Sequence, residues 1–158
     1  MIDTSGAAPF TSHRMTPPNR TVLAIDYGAK RIGLARSDPT GTIATALTTL
    51  EVSSDRDALK QLSKIIDEIE PTALIIGYPI SLSGRQGPAC RKVDEFIKQL
   101  ESIYNGPIHK VDERLTSVAA QRVIHEHGRK SGQDKKRVDR LAAVLILQQF
   151  LDSEKNTT

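Results

Sequence analysis

Apolar and polar positions change their period along the chain, and the changes mark out elements. The run "TVLAID" from Thr21 is short, β-branched and apolar, "RIGLARSD" follows after "YGAK", and "TIATALTTLEV" follows after "PTG". Such runs separated by turn residues predict three strands joined by tight turns. From Asp55 the period lengthens. Leu59, Leu62, Ile65, Ile66 and Ile69 recur at helical spacing until Pro71 closes the helix. "ALIIG" then predicts a buried strand, and the Gly- and Pro-containing loop "YPISLSGRQGPA" leads into a second helix with Val93, Phe96, Ile97, Leu100 and Ile103 on one face. "GPIHKVDE" predicts a fifth strand. "SVAAQRVIHEH" predicts a helix capped by Thr116 or Ser117, and "DRLAAVLILQQFLD" a last helix that is apolar nearly all round. Three antiparallel strands followed by alternating helix and strand make an α/β domain: a mixed five-stranded sheet with helices on its faces.

Length and composition narrow the classes. At 158 residues with 38% hydrophobic content, the chain fits one domain with a real core and is too short for two ordinary ones. Residues 1–19 are rich in Gly, Pro, Ser and Thr and are read as a disordered tail, with Met15 as an alternative internal start. The domain is expected over 20–152, with a short flexible tail over 153–158. No apolar run reaches the roughly 18 to 20 residues of a membrane span, and the segment at the start lacks the pattern of a secretory signal. A single cysteine, Cys90, excludes an internal disulfide. A cytoplasmic protein is expected. The net charge of +3 permits an anionic partner without requiring one.

Candidate chemistry gathers at the predicted strand ends. Asp26 closes the first strand, Asp112 and Glu113 close the fifth, and Asp139 opens the last helix. Two or three carboxylates suffice for Mg²⁺ or Mn²⁺, hard cations that take oxygen ligands, and such sites cleave phosphodiesters without a Ser, Cys or His nucleophile. Taken singly, most of these acids also have a structural explanation, though Asp26, completing an apolar strand before "YG", is poorly explained by turn chemistry alone. Asp139 suits a helix N-cap, and Asp112 or Glu113 suits pairing with Arg114 or Lys110. Lys30 and Arg31 sit in the turn beside Asp26, where Gly28 and Gly33 let backbone approach phosphate closely. Between 122 and 140, seven basic residues, including Arg129, Lys130, Lys135, Lys136 and Arg137, face three acidic ones. They form a candidate backbone clamp on a flexible loop. Gly77, Tyr78, Pro79, Gly84, Arg85 and Gly87 form a second candidate rim, with Tyr78 offering either a stacking face or a packing role. His125 and His127 are two apart and point away from each other on a helix, so they do not share a metal. His109 and Cys90 show no partner spacing.

Four stretches, "LAIDYGAKRIGLARSD", "IIGYPISLSGRQG", "VDERLTS" with an Ala pair after it, and "VDRLAAVLILQQFL", resemble in order and spacing the YqgF/RuvX family of the RNase H-like superfamily. The likeness covers residue 21 to about 151. It implies an RNase H-like fold and a divalent-metal nuclease. The family is described both as Holliday junction resolvases and as nucleases maturing the 5′ end of pre-16S rRNA. Carried over, its acidic positions fall on Asp26, Glu113 and Asp139 as catalytic metal ligands, with Asp112 a less direct fourth. Asp112, alternating to the other sheet face, is expected to order Arg114 or the turn after it. Nucleic acid would be held by Lys30, Arg31, Arg85, Arg114, Arg129, Lys130, Lys135, Lys136 and Arg137. Ala29, Tyr78 and Arg140 depart from the common pattern, and none removes a candidate ligand.

The resemblance implies an endonuclease on structured RNA or branched DNA, first of all one that processes pre-16S rRNA in ribosomal precursor particles. The alternatives are a Holliday junction resolvase and a ribosome-assembly factor with little catalysis. A resolvase would act as a homodimer, whereas an rRNA nuclease could act as a monomer. Actin-like ATPases share an Asp- and Gly-containing first hairpin but need two such domains, which this length does not hold.

Overall fold

The computed structural model describes residues 18–115 and 132–156. Five strands form one mixed sheet: β1 Val22–Asp26, β2 Arg31–Ser37, β3 Ala44–Glu51, β4 Ala73–Tyr78 and β5 Ile108–Asp112. Their order is β3-β2-β1-β4-β5. β1 and β2, and β2 and β3, run antiparallel, while β4 lies parallel to both β1 and β5. The hairpin from β1 to β2 turns on residues 27–30, as the spacing predicts.

Among the described residues, three α-helices cover the sheet: α1 Asp55–Ile69, α2 Pro88–Leu100 and α3 Gly132–Asn156. Ser54 caps α1, its hydroxyl accepting the Asp57 amide at 3.1 Å, and Glu70 ends it at a left-handed φ of 51° before Pro71. α2 starts with Pro88 at its first position, where a missing amide costs nothing. Strand alternation divides the core into two layers. Leu23, Ile25, Leu34, Leu74 and Ile76 meet α1 and α2 through Leu62, Ile66, Val93 and Phe96. Val22, Ala24, Ala35, Ile75 and Val111 meet α3 through Ala142, Ala143, Ile146, Leu147 and Leu151. The small Ala residues on this second face let the long helix sit close to the sheet.

The last helix differs from its expectation at both ends. It begins at Gly132 rather than at Asp139, because Gln133, Lys135, Lys136 and Arg137 are good helix formers and Gly132 is tolerated in a first turn. Asp139 is therefore not its N-cap, and residues 132–137 form helix rather than a loop. It also continues to Asn156, past the expected end at 152. Nor is it buried all round, since Leu141 remains 40% exposed. β5 stops one residue early, and Glu113 opens a 3₁₀ turn, Glu113–Leu115. The expected helix from Ser117, most of the expected N-terminal tail, and Arg129 and Lys130 lie outside the described residues.

Candidate nuclease site

Asp26 follows Val22 and Ala24 on the α3 face of β1, two residues on in each step, and is buried at 4% exposure. Its antiparallel partner in β2 is Gly33. The backbone of α3 passes over Gly33 at Asp139: a Cβ built there would lie 2.5 Å from the Asp139 carbonyl carbon and 3.1 Å from the Arg140 nitrogen. Glycine in this strand marks close approach of another backbone. The close approach expected of phosphate at Gly33 is made instead by the helix. Gly28 likewise serves the turn, since a Cβ there would meet the Arg31 carbonyl.

Glu113 reaches the same face from the other side. Gly77 stands one residue beyond the Ile25–Ile76 pair, as Asp26 does, and its partner in β5 is Val111, a residue of the α3 layer. A Cβ on Gly77 would meet Glu113 Oε1 at 2.8 Å and Ile146 Cδ1 at 2.7 Å. Gly77 thus leaves the room that the Glu113 carboxylate uses. Glu113 is 7% exposed, so two carboxylates, Asp26 at the end of β1 and Glu113 just after β5, are buried on one face on either side of the end of β4. Burying charge this way is costly unless cations or hydrogen bonds compensate it.

Asp139 brings its backbone to this place and turns its side chain elsewhere. Oδ2 accepts Arg31 Nε at 2.9 Å, across 108 positions of sequence. Among the described residues no three acidic, His or Cys side chains converge as a metal cluster. The donor set nevertheless fits a hard divalent cation: oxygen ligands only, two of them buried on one face, the third carried on the helix that crosses that face. Asp26 and Glu113 would hold such an ion, with Asp139 joining after leaving Arg31.

Asp112 is not brought to the pair. Its register partner is Tyr78, whose side chain lies in the opposite core layer. There its carboxylate takes Arg114 in a fork, from Nε at 3.0 Å and Nη2 at 2.8 Å, and also accepts the Arg114 amide at 2.9 Å. Hydrogen bonding from Arg114 holds Asp112 below the usual carboxylate range. Ordering of Arg114 by Asp112 is thus as expected from strand alternation. The Arg114 guanidinium also faces Gly84 in the loop after β4, where φ is +86° and a Cβ would sit 3.4 Å from Nη1.

The other cations divide. Lys30 in the hairpin and Arg85 in the loop after β4 are exposed, as are Lys135 and Arg137 on α3. Lys136 is held by Glu51 at 2.8 Å, and its carbonyl accepts the Thr49 hydroxyl. Tyr78 is 5% exposed, donates its hydroxyl to Asp94 at 2.8 Å and lies under Lys110, so it packs and offers no stacking face. Its phenol is pushed up to about 12, first by that bond to Asp94 and then by burial. What sequence reasoning missed is the Arg31–Asp139 pair. The only signal for it was a glycine inside a strand.

Comparison with known proteins decides the family. The family model described as "RuvX: Holliday junction resolvase" matches residues 20–153. The chain belongs to the RuvX family. It is 42% identical over 134 residues to a protein of Roseiflexus sp. (strain RS-1) and 45% identical over 136 residues to one of Thermoanaerobacter pseudethanolicus; each alignment takes in 85% of this chain and, respectively, 95% and 98% of the relative. Both carry the name "Putative pre-16S rRNA nuclease". RuvX proteins are thus nucleases, that is phosphodiester hydrolases, under both descriptions. Among solved structures, Thermus thermophilus RuvC in complex with a Holliday junction substrate aligns over 88% of this chain and 98% of its own at TM-score 0.55 and 11% identity. A second T. thermophilus RuvC structure aligns over 87% and 97% at TM-score 0.50 and 14% identity. That distance shows a shared RNase H-like fold. No helix among the described residues is long and apolar enough to cross a membrane.

Proposed function

We propose that this RuvX protein is a divalent-metal-dependent endonuclease that processes the 5′ end of pre-16S rRNA in the cytoplasm. The observation that carries the reading is the pair of buried carboxylates, Asp26 and Glu113, on the face over which α3 delivers Asp139. In this account the three residues are the metal ligands. A bound Mg²⁺ or Mn²⁺ would supply activation of the attacking water and charge stabilisation at the scissile phosphate. The protein's own part is to hold oxygen ligands in a dry, shaped place. Asp26 and Glu113 are fixed by strand ends, and Gly33 and Gly77 admit the helix and the carboxylate that a larger residue would push away. Lys30, Arg85, Lys135 and Arg137 provide exposed cations for phosphates on either side of the cut, and Arg114, on the Asp112 side of the sheet end, adds another. Arg114 comes already oriented by Asp112, which lowers the cost of engaging a phosphate.

The choice of rRNA rests on the names carried by relatives at 42% and 45% identity that cover nearly the whole domain. The family's description as Holliday junction resolvases favours a second reading, a nuclease that acts on branched DNA as a two-fold dimer. Metal dependence is tested by chelating divalent ions from the full chain and adding back Mg²⁺, Mn²⁺ or Ca²⁺ with an RNA carrying the 5′ segment of pre-16S rRNA. Cleavage should return with Mg²⁺ or Mn²⁺ and be absent in Asp26→Asn, Glu113→Gln and Asp139→Asn. Cleavage that persists in chelator, or in Asp26→Asn, contradicts the proposal.

A further inference from the structure

Charges of alternating sign run along the edge of the acidic face. Lys136 Nζ meets Glu51 Oε2 at 2.8 Å, Glu51 lies opposite Arg31 in the β2–β3 register, and Arg31 Nε meets Asp139 Oδ2 at 2.9 Å. Lys136 and Asp139 are three apart on α3 and so share a helix face. Arg31 therefore stands between two carboxylates, one on α3 and one on β3. Glu51 is held below the usual carboxylate range chiefly by its bond from Lys136 and, to a lesser degree, by the field of Arg31.

The two ends of the Arg31–Asp139 contact differ in freedom. The Asp139 backbone is pressed onto Gly33 and pinned one turn earlier by the Thr49 hydroxyl on the Lys136 carbonyl. Its carboxylate can leave only by rotating the side chain. Arg31 holds it through Nε alone, without the two-pronged fork that makes such pairs strong, and the two side chains are 32% and 19% exposed. A single-pronged contact of this exposure is weak. Asp26, across from Gly33, marks the direction in which the freed carboxylate finds the other acidic residues.

We propose that Arg31 is a positioning residue that competes with a divalent cation for the Asp139 carboxylate, and that it is handed over to Glu51 when Asp139 turns toward Asp26 and Glu113. The inference rests on the reading of these three residues as metal ligands. It gives Arg31 a task beyond phosphate contact: neutralising Asp139 so that three like charges need not face one another without a cation. Glu51 is the landing place that keeps the released guanidinium paired.

The test is Mn²⁺ binding to the full chain, measured by electron paramagnetic resonance. Arg31→Gln should bind Mn²⁺ tighter by roughly fivefold, the fold-change of one partly exposed ion pair removed from the competition. Glu51→Gln should bind it more weakly, because Arg31 loses its second partner. A purely structural Arg31 would instead lower the melting temperature with Mn²⁺ affinity unchanged, and that result, or weaker binding in Arg31→Gln, overturns the handover. In the wild type, the Arg31 Nε–Hε resonance should shift on Mg²⁺ titration, a readout that survives if a variant does not fold. An unmoved resonance while Mg²⁺ binds refutes the proposal. Asp26→Asn distinguishes a failure of the handover from a failure of the metal site. Undiminished Mn²⁺ affinity in that variant removes the metal-site reading itself, whatever Arg31 does.

Discussion

Gly33 carries the contact on which the site depends, and Gly33→Ala measures it. The added Cβ would sit 2.5 Å from the Asp139 carbonyl carbon, and both neighbours it meets are backbone, so no side chain can swing aside. Ordinary carbon contacts lie near 3.5 Å, so α3 must withdraw by about 1 Å at this point. Insertion into a packed interface typically costs about 1–3 kcal/mol. Here the upper end is expected, because the withdrawal also loosens Ala142, Ala143, Ile146 and Leu147, all buried on the same helix. A loss near 3 kcal/mol is a large share of the roughly 5–15 kcal/mol that stabilises a domain, and it lowers a urea midpoint by about 1.5 M at a slope of about 2 kcal/mol/M. Displacing Asp139 by about 1 Å should also slow cleavage by about 100-fold. Gly87→Ala is the steric control, since a Cβ there meets nothing within 4 Å; as the N-cap of α2 it should lose only the modest preference of that position for Gly over Ala. Urea unfolding and single-turnover cleavage of both variants decide the matter. A Gly33→Ala protein that loses less than about 1 kcal/mol and cleaves at the wild-type rate would refute the reasoning, because the helix would then not be locked where the geometry puts it.

Gly77→Ala should act on the site more than on the fold: its Cβ meets the movable ends of Glu113 and Ile146, so stability falls by about 1 kcal/mol while cleavage drops at least tenfold, read by the same two assays. Neutralising Lys135 and Arg137 together should weaken binding to all sequences and flatten the dependence of log K on log salt by about 1.4, roughly 0.7 for each phosphate contact on a single strand; an unaltered slope in filter-binding titrations makes these residues bystanders. Alkali should unfold the protein as its tyrosines ionise. Tyr27, half-buried and bonded to Asp55, Tyr78, pushed up to about 12, and Tyr104, half-buried with its hydroxyl on the Pro71 carbonyl, are all raised, so their contribution is complete below pH about 10 and is lost as pH rises through the folded values. Phenolate absorbance and circular dichroism should therefore change together, and phenolate appearing near pH 10 in a folded protein would contradict the burial.

Much of this architecture was legible in the sequence because period and punctuation agree locally. The β-branched run ending at Asp26, the helix between Ser54 and Pro71, and the strand "ALIIG" each combine a clean apolar pattern with a stop residue, and each forms where expected. The last helix was misjudged because Asp139 before an apolar run has the look of an N-cap. Its real start lies at Gly132, where helix propensity in a basic, polar stretch outweighs the flexibility that Gly and charge suggest. Tyr78 was ambiguous because an aromatic after a strand can face either way; its bond to Asp94 fixes it inward. Strand alternation placed Asp112 on the side of Tyr78 and Arg114, since it depends on nearest neighbours alone, although the strand ends before Glu113. The pairing of Arg31 with Asp139 depends on how a helix crosses a sheet more than a hundred residues away, and no local pattern encodes that.

The central claim is a metal-dependent nuclease site built on Asp26, acting on ribosomal RNA. The most direct measurement offers the full chain two substrates under one condition, the 5′ segment of pre-16S rRNA and a four-way DNA junction, each with Mn²⁺ or Mg²⁺, and with Asp26→Asn alongside. The account predicts cleavage of the RNA by the wild type and none by the variant. Paired symmetric cuts in the junction with the RNA left intact would contradict the choice of substrate, and equal RNA cleavage by Asp26→Asn would contradict the site.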